Sequence, residues 1–263
     1  MENYEIYLKE AIFAARLAQQ LQASYQEQGF DIESKSTQYD LVTTADKEAE
    51  KVIANHLLSA FPDHSMLGEE GGITGSGPFR WIVDPVDGTV NYAHGLPCYS
   101  VSIGLEIEGK VEVGVIIDST RDDVFTAIRG RGAFINDKPI KVSKVTSLNQ
   151  AMLATGFSYR IDQRKINLEF LDKTIGRGLP VRRLGSAALD LAYVAMGRFD
   201  GFWELGLSPW DAAAGVLLVE EAGGKISTLE KGPYHLGDAS IVATNGHIHD
   251  ELVDLLQSPS SSS

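Results

Sequence analysis

Trp81-Ile82-Val83-Asp84-Pro85-Val86-Asp87-Gly88-Thr89 runs an apolar segment straight into two carboxylates. Trp81-Ile82-Val83 reads as a buried strand, so Asp84 falls where burial is expected, and a buried carboxylate needs a cation or hydrogen-bond donors. Pro85 has a fixed φ and no N–H, and Gly88 lets backbone approach a ligand closely. Two carboxylates at i and i+3 at a strand end can converge in one turn. If a helical turn begins at Gly88-Thr89, their amides suit a phosphate. Read alone, Asp84 and Asp87 serve equally well as turn and cap residues.

Working outward, the N-terminal side predicts a helix over 4–28, with Leu8, Ala11, Ala15 and Ala18 on one face, and a second over 47–60, stopped by Pro62. Gly71-Gly72-Ile73-Thr74-Gly75-Ser76-Gly77-Pro78 reads as a flexible loop. On the C-terminal side, the alternating runs Val101–Ile107 and Val111–Ile117 meet at Glu108-Gly109-Lys110 as an antiparallel hairpin, and 124–128 continues the sheet. Beyond residue 150, strand candidates at 152–155, 201–203 and 241–244 alternate with helices at 187–196, 211–222 and 250–256, and Gly223-Gly224 caps the second of these. The chain therefore divides into an α+β part over 1–148 and a smaller α/β part over 149–257, followed by a Ser-rich tail over 258–263 expected to be disordered.

With 263 residues, the chain is long enough for a sizeable core. Its 23 Lys and Arg against 36 Asp and Glu give a net charge of −13. That excludes nucleic-acid wrapping by counterion release. It also repels anionic substrates, so a phosphate would need a local inversion of sign, as a bound divalent cation provides. The single cysteine, Cys98, permits no intrachain disulfide and reads as a packed core thiol. No apolar run is long enough to span a bilayer, and the acidic start Met1-Glu2-Asn3-Tyr4-Glu5 is unlike a targeting peptide; both point to the cytoplasm. His247-Ile248-His249, the one close histidine pair, reads as the surface start of the last helix, so zinc is not expected.

Glu69-Glu70 alone is a pair of solvated acids, and Asp211 alone an N-cap for Ala212-Ala213-Ala214. Together, Glu69, Asp84, Asp87 and Asp211 could supply two adjacent sites for a hard cation such as Mg²⁺, an arrangement suited to in-line displacement at phosphorus. No Gly-x-Ser-x-Gly elbow offers a protein nucleophile.

These segments, in this order, resemble the inositol monophosphatase family. The likeness rests on Trp81–Thr89, on Trp210-Asp211-Ala212-Ala213-Ala214-Gly215 with Glu221-Ala222-Gly223-Gly224, and on Asp40-Leu41-Val42-Thr43-Thr44-Ala45-Asp46. The resemblance covers nearly the whole chain. It implies a layered αβαβα sandwich of the inositol monophosphatase/fructose-1,6-bisphosphatase type, usually dimeric, using two or three Mg²⁺ ions per subunit. Glu69, Asp84 and the Val86 carbonyl would hold the first ion, Asp84, Asp87 and Asp211 the second, and Glu69 would touch a weaker third. Thr89 and Asp46 would orient the attacking water. The amides of Gly88 and Thr89 would hold phosphate oxygens, with Asp87 on the substrate side as well. Gly185, Ser186, Ala187 and Glu204 would line the sugar side, Glu204 projecting from a strand end after Phe202-Trp203.

The expected activity is hydrolysis of a small polyol or sugar monophosphate, inositol-1-phosphate first, sensitive to lithium. Histidinol phosphate, fructose 1,6-bisphosphate, a 3′-phosphoadenosine nucleotide and NADP stand as rival substrates. Ser208 replaces the His of animal members, and Arg182-Arg183-Leu184-Gly185-Ser186 resembles bacterial ones, which puts inositol itself in question. Arg182 and Arg183 are either solvated or in contact with an acidic or bulky substrate or a dimer partner. From another class, some bacterial relatives associate with the transcription machinery, so a regulatory binding role is the rival to catalysis.

Overall fold

The computed structural model describes residues 4–35 and 41–258; Asp40 and the tail beyond Ser258 lie outside the described residues. Along the first half run α1 (Tyr4–Gln28), β1 (Ile32–Ser34), β2 (Leu41–Thr43), α2 (Thr44–Ala60), β3 (Ser65–Gly68), β4 (Gly72–Thr74), β5 (Phe79–Asp87), α3 (Thr89–Ala93), β6 (Ser100–Ile107), β7 (Lys110–Asp118), β8 (Asp123–Ile128), β9 (Ala133–Ile135) and β10 (Lys138–Ile140). A 3₁₀ turn over Leu148–Gln150 leads into β11 (Leu153–Thr155), α4 (Ile161–Gly176), β12 (Val181–Arg182), α5 (Ala187–Ala195), β13 (Gly201–Leu205), α6 (Pro209–Glu221), β14 (Lys225–Ser227), β15 (Ser240–Thr244) and α7 (His249–Gln257). The division expected at 148/149 falls within that 3₁₀ turn.

Eight strands form one mixed sheet in the order β10-β9-β8-β7-β6-β5-β3-β4, and five form a second in the order β12-β11-β13-β15-β14. Strand alternation sends Trp81, Val83, Val101, Ile103 and Leu105 to one face of the larger sheet, against Ala11, Ala15, Ala49 and Ile53 of α1 and α2. Ile82, Ile116 and Phe125 point to the other face, where they meet α5 and α6 and, beyond them, Phe202, Ile241 and Ala243 of the second sheet. The outer face of that sheet, with Trp203 and Val242, is covered by Phe170 of α4 and Leu252 and Leu256 of α7. The layers are thus helix, sheet, helix, sheet, helix. Each fully buried Ile103 or Leu105 contributes about 1.5–3 kcal/mol through apolar burial.

One close approach positions the centre of the molecule. Gly104 and Gly114 pair across β6 and β7. A Cβ on Gly104 would stand 2.9 Å from the Ala213 Cβ, and one on Gly114 would stand 3.1 Å from the Ala214 Cα. The two glycines and the alanine run of α6 let that helix sit directly on the sheet.

Several elements differ from expectation. The helix predicted over 47–60 starts at Thr44, because Thr43 and Asp46 form a capping box. The Gly71–Pro78 stretch is not all loop: β4 pairs antiparallel with β3 through Met66↔Thr74, Leu67↔Ile73 and Gly68↔Gly72. Asp211 is not an N-cap; Ser208 is, and Asp211 is the third helical residue, its carboxylate accepting from Ser208 N at 2.7 Å. His249 is not on the surface. It is 1% exposed and bonded to the Ser227 and Thr244 hydroxyls at 2.8 and 3.0 Å, and burial lowers its pKa to about 4. The hairpin turn stands where predicted, Glu108 and Gly109 both at positive φ, which matches the strand twist.

Candidate active site

Strand β5 does not end at Val83. It continues through both aspartates, and its pairing with β6 slips between Asp84 and Asp87. Such a bulge re-aims side chains, and here both carboxylates are buried, at 1% and 7% exposure. Gly88 follows at φ 100 and caps α3. A Cβ there would stand 3.1 Å from both the Cys98 and Gly185 carbonyls, so only glycine fits this turn.

Because α6 lies flat on β6 and β7, its first turn carries Asp211 to the end of β5. Oxygens of Asp84, Asp87 and Asp211 all lie within 4.8 Å of one another. Burial first, then Glu69, Asp87 and Asp211, raises the Asp84 pKa well above the usual carboxylate range. Asp211 is raised likewise by burial, Asp87 and Glu69. Asp87 rises to about 6 through burial, although it accepts from Ser186 Oγ at 2.5 Å and Ala188 N at 2.8 Å. Crowded, desolvated carboxylates without a basic side chain bonded to them are deficient in positive charge. An oxygen-only donor set of this kind fits a hard divalent cation.

Glu69 follows β3, which runs parallel to β5, and lines the same cavity. Its carboxylate is turned to Lys35 Nζ at 2.8 Å, and Lys35 also reaches Glu70. Thr89 Oγ1 donates to Asp46 Oδ1 at 2.8 Å and lies 3.0 Å from the Val86 carbonyl. Asp46 is held in turn by Thr43 N at 2.9 Å and by the Thr43 hydroxyl.

The cavity holds about 640 Å³ and is lined by Glu69, Asp84, Val86, Asp87, Gly88, Thr89, Gly185, Ser186, Ala187, Glu204 and Asp211. Of the residues expected at the site, Asp46 alone is not on the wall; it stands behind Thr89. Glu204 is one of the last two residues of β13, after Phe202-Trp203 as expected. It is 8% exposed, its carboxylate filling the space a Cβ would need on Gly156, and burial pushes its pKa up to about 8. Arg182 and Arg183 are both exposed, but only Arg183 lines the cavity; Arg182 donates to the Val181 carbonyl.

Asp190 went unnoticed in the sequence. It lies on α5, lines the cavity at 1% exposure, and its Oδ1 has no hydrogen-bond partner among the described residues. Within Ala187-Ala188-Leu189-Asp190-Leu191-Ala192, a single acid among apolar residues was the available signal. Cys98 is half-buried, and burial raises its thiol to about 11, which suits a packed rather than a reactive sulfur.

Known proteins resemble the chain over nearly its whole length. A family model described as the inositol monophosphatase family matches residues 4–260. An inositol-1-monophosphatase of Synechocystis is 46% identical over 230 residues, 86% of this chain and 79% of that protein. A Pseudomonas aeruginosa protein named Nus factor SuhB is 45% identical over 225 residues, 83% of each chain. The crystal structure of the extragenic suppressor protein suhB from Bartonella henselae aligns with a TM-score of 0.91 at 41% identity, covering 96% of this chain and 98% of that one.

Proposed function

This chain belongs to the inositol monophosphatase family, and from that premise we propose that it is a Mg²⁺-dependent phosphomonoesterase acting on small polyol or sugar monophosphates, inositol-1-phosphate first among them. The observation that carries the reading is the trio Asp84, Asp87 and Asp211, drawn from two distant parts of the chain to within 4.8 Å. With Glu69 and the Val86 carbonyl they would hold two or three Mg²⁺ ions. Bound there, the cations supply Lewis acidity toward the phosphoryl group and a hydroxide near neutral pH.

The chain's own residues do the rest. The Thr89 hydroxyl, bonded to Asp46, orients the attacking water. The amides of Gly88 and Thr89, at the start of α3, hold phosphate oxygens. Ser186 and the amides of Ala187 and Ala188 fix the Asp87 carboxylate. Gly185, Ser186, Ala187 and Glu204 face the alcohol, Glu204 accepting from its hydroxyls. The reading is tested by phosphate release from a panel of monophosphates, with Mg²⁺ and with chelator. Inositol-1-phosphate, histidinol phosphate, fructose 1,6-bisphosphate, 3′-phosphoadenosine nucleotide and NADP make up that panel. No release from any of them in Mg²⁺ would sink the reading; a different best substrate would replace inositol alone.

We further infer a cytoplasmic homodimer, checked by sedimentation, and inhibition by millimolar Li⁺. Lithium is close to Mg²⁺ in size with half its charge, and would occupy the Asp87–Asp211 side without supporting the leaving group. The relatives named Nus factor SuhB favour a second role in binding the transcription machinery, which a pull-down with purified RNA polymerase tests.

A further inference from the structure

Helix α2 turns two acids toward the site, Asp46 and Glu50, one helical turn apart. The first orients Thr89. Glu50 is 6% exposed and has a different set of partners. Its Oε2 accepts from Glu70 N at 2.8 Å, and its Oε1 from Gly71 N at 2.6 Å. Both donors belong to the turn between β3 and β4 that begins with Glu69. The turn is moulded around this carboxylate. A Cβ on Gly68 would stand 2.4 Å from the Glu50 carboxyl carbon, and one on Gly71 would stand 2.7 Å from Oε1. The headgroup therefore fills the side-chain space of both residues that flank the Glu69-Glu70 pair. From the other side the turn is gripped by Lys35, a contact that ties side chains but not backbone.

We propose that Glu50 is a positioning residue for the metal centre: it fixes the backbone of the turn that presents Glu69, and thereby sets how well Glu69 meets a divalent cation. The inference rests on reading Glu69 as a metal ligand. Glu50 touches neither metal nor substrate. Two consecutive amides bonded to one carboxylate hold the backbone immediately after Glu69, a charge-assisted pair stronger than neutral bonds. Without it, the turn keeps the Glu69 N bond to the Val83 carbonyl at 3.2 Å, the Lys35 contacts and the short β3–β4 pairing, but the Glu70 and Gly71 amides lose their acceptor.

The test is calorimetric titration of the whole protein with MgCl₂ alone, for wild type, Glu50→Gln, Glu50→Ala, Gly68→Ala and the double variant Gly68→Ala/Glu50→Ala. Loss of an outer-shell partner typically weakens metal binding about 10–100-fold, and that is the shift expected for Glu50→Ala, with a smaller one for Glu50→Gln. Turnover at saturating Mg²⁺ should stay within about threefold of wild type, since the chemical step is intact once the ion is bound. Gly68→Ala should weaken Mg²⁺ binding when Glu50 is present, because the new methyl displaces its carboxylate, and should have no effect when Glu50 is already Ala. Amide exchange at Glu70 and Gly71 should accelerate in the Glu50 variants. Mg²⁺ affinity within twofold of wild type in Glu50→Ala, or an equal effect of Gly68→Ala in both backgrounds, overturns the proposal. Glu50→Gln keeps the side-chain volume and so remains a folded test if the truncation is not. If wild type itself binds no Mg²⁺, the metal reading fails and takes this inference with it; tight binding by wild type and Glu50→Ala alike defeats this inference alone.

Discussion

Asp84 on β5 and Asp118 at the end of β7 are both buried aspartates of the larger sheet, separated by β6, at 1% and 0% exposure, yet the protein treats them in opposite ways. Asp118 accepts from Thr120 N and Oγ1, Arg121 N and Nη1, and the Tyr193 hydroxyl, all between 2.8 and 3.1 Å. Burial opposes its ionisation, but the bonds from Thr120 and Arg121 outweigh it and hold the pKa below the usual carboxylate value. Asp84 accepts from Val86 N at 3.0 Å, and its other near neighbours are acids. Burial alone therefore does not mark a functional carboxylate. The mark is a buried carboxylate whose compensation is missing from the protein and has to come from a ligand.

Replacing each in turn separates the two cases. Asp84→Asn should lower turnover by about three orders of magnitude or more in saturating Mg²⁺, the consequence of removing several kcal/mol of charge stabilisation. Steady-state kinetics within threefold of wild type would erase the contrast. Asp118→Ala should do the reverse: a loss of about 2–4 kcal/mol in stability, from stranding Arg121 and two backbone donors, with turnover per folded molecule nearly unchanged. Denaturant unfolding with an active-site titration checks both halves.

The next effect in size concerns the ligand itself. At a hundredfold excess over Kd, Mg²⁺ should stabilise wild type by about 2.7 kcal/mol. Asp211→Asn should raise the melting temperature of the metal-free protein, by relieving repulsion, and blunt the Mg²⁺-induced rise. Equal rises in both proteins, at constant ionic strength, would place the ion elsewhere.

The smallest effect is in pH. The ordinary value for Glu204 is 4.5, and burial pushes it up to about 8 in the fold. The folded protein keeps a proton that the unfolded chain has released, so stability present at low pH is lost as pH rises through 8. Buried His249, held neutral with a pKa of about 4, has the opposite sign but acts only below its ordinary 6.5. Between pH 7 and 9, metal-free wild type should therefore lose on the order of 1 kcal/mol, or a few °C in melting temperature, through Glu204, beside losses of the same sign from Asp84, Asp190 and Asp211. Glu204→Gln should reduce that slope without abolishing it, because Asp84, Asp190 and Asp211 remain raised. Asp118, lowered rather than raised, adds nothing in this range.

The sequence made Asp84, Asp87 and Asp211 legible because each sits at a break in local pattern: acids ending an apolar strand, and an acid opening an alanine helix. Glu50 and Lys35 were illegible for a physical reason. Glu50 lies in Lys47-Glu48-Ala49-Glu50-Lys51, which reads as a solvated charged face, and its partners are backbone amides twenty residues away. Its spacing of four from Asp46 on the face that buries Ala49 and Ile53 was the one clue. Helix α4 carries no apolar core stripe, because its buried positions are Asn167, Phe170 and Thr174, while Ile161, Leu168 and Ile175 point outward. A periodic stripe predicts a helix but not which way it faces. The layered architecture followed from resemblance, since no local pattern reveals that two sheets share one helical layer.

The seat that Gly104 and Gly114 make for Ala213 and Ala214 has a kinetic consequence. Asp84 and Asp87 come together early, as neighbours on one strand, but Asp211 reaches them only when α6 has been synthesised and has docked. The loop that must close is more than a hundred residues long, and contacts of that range form late in folding. A nascent chain stopped before α6 holds an acidic strand end with no site. Chemical competence would thus wait for α6 to dock, so recovery of activity after refolding cannot precede the seating of that helix over two glycines.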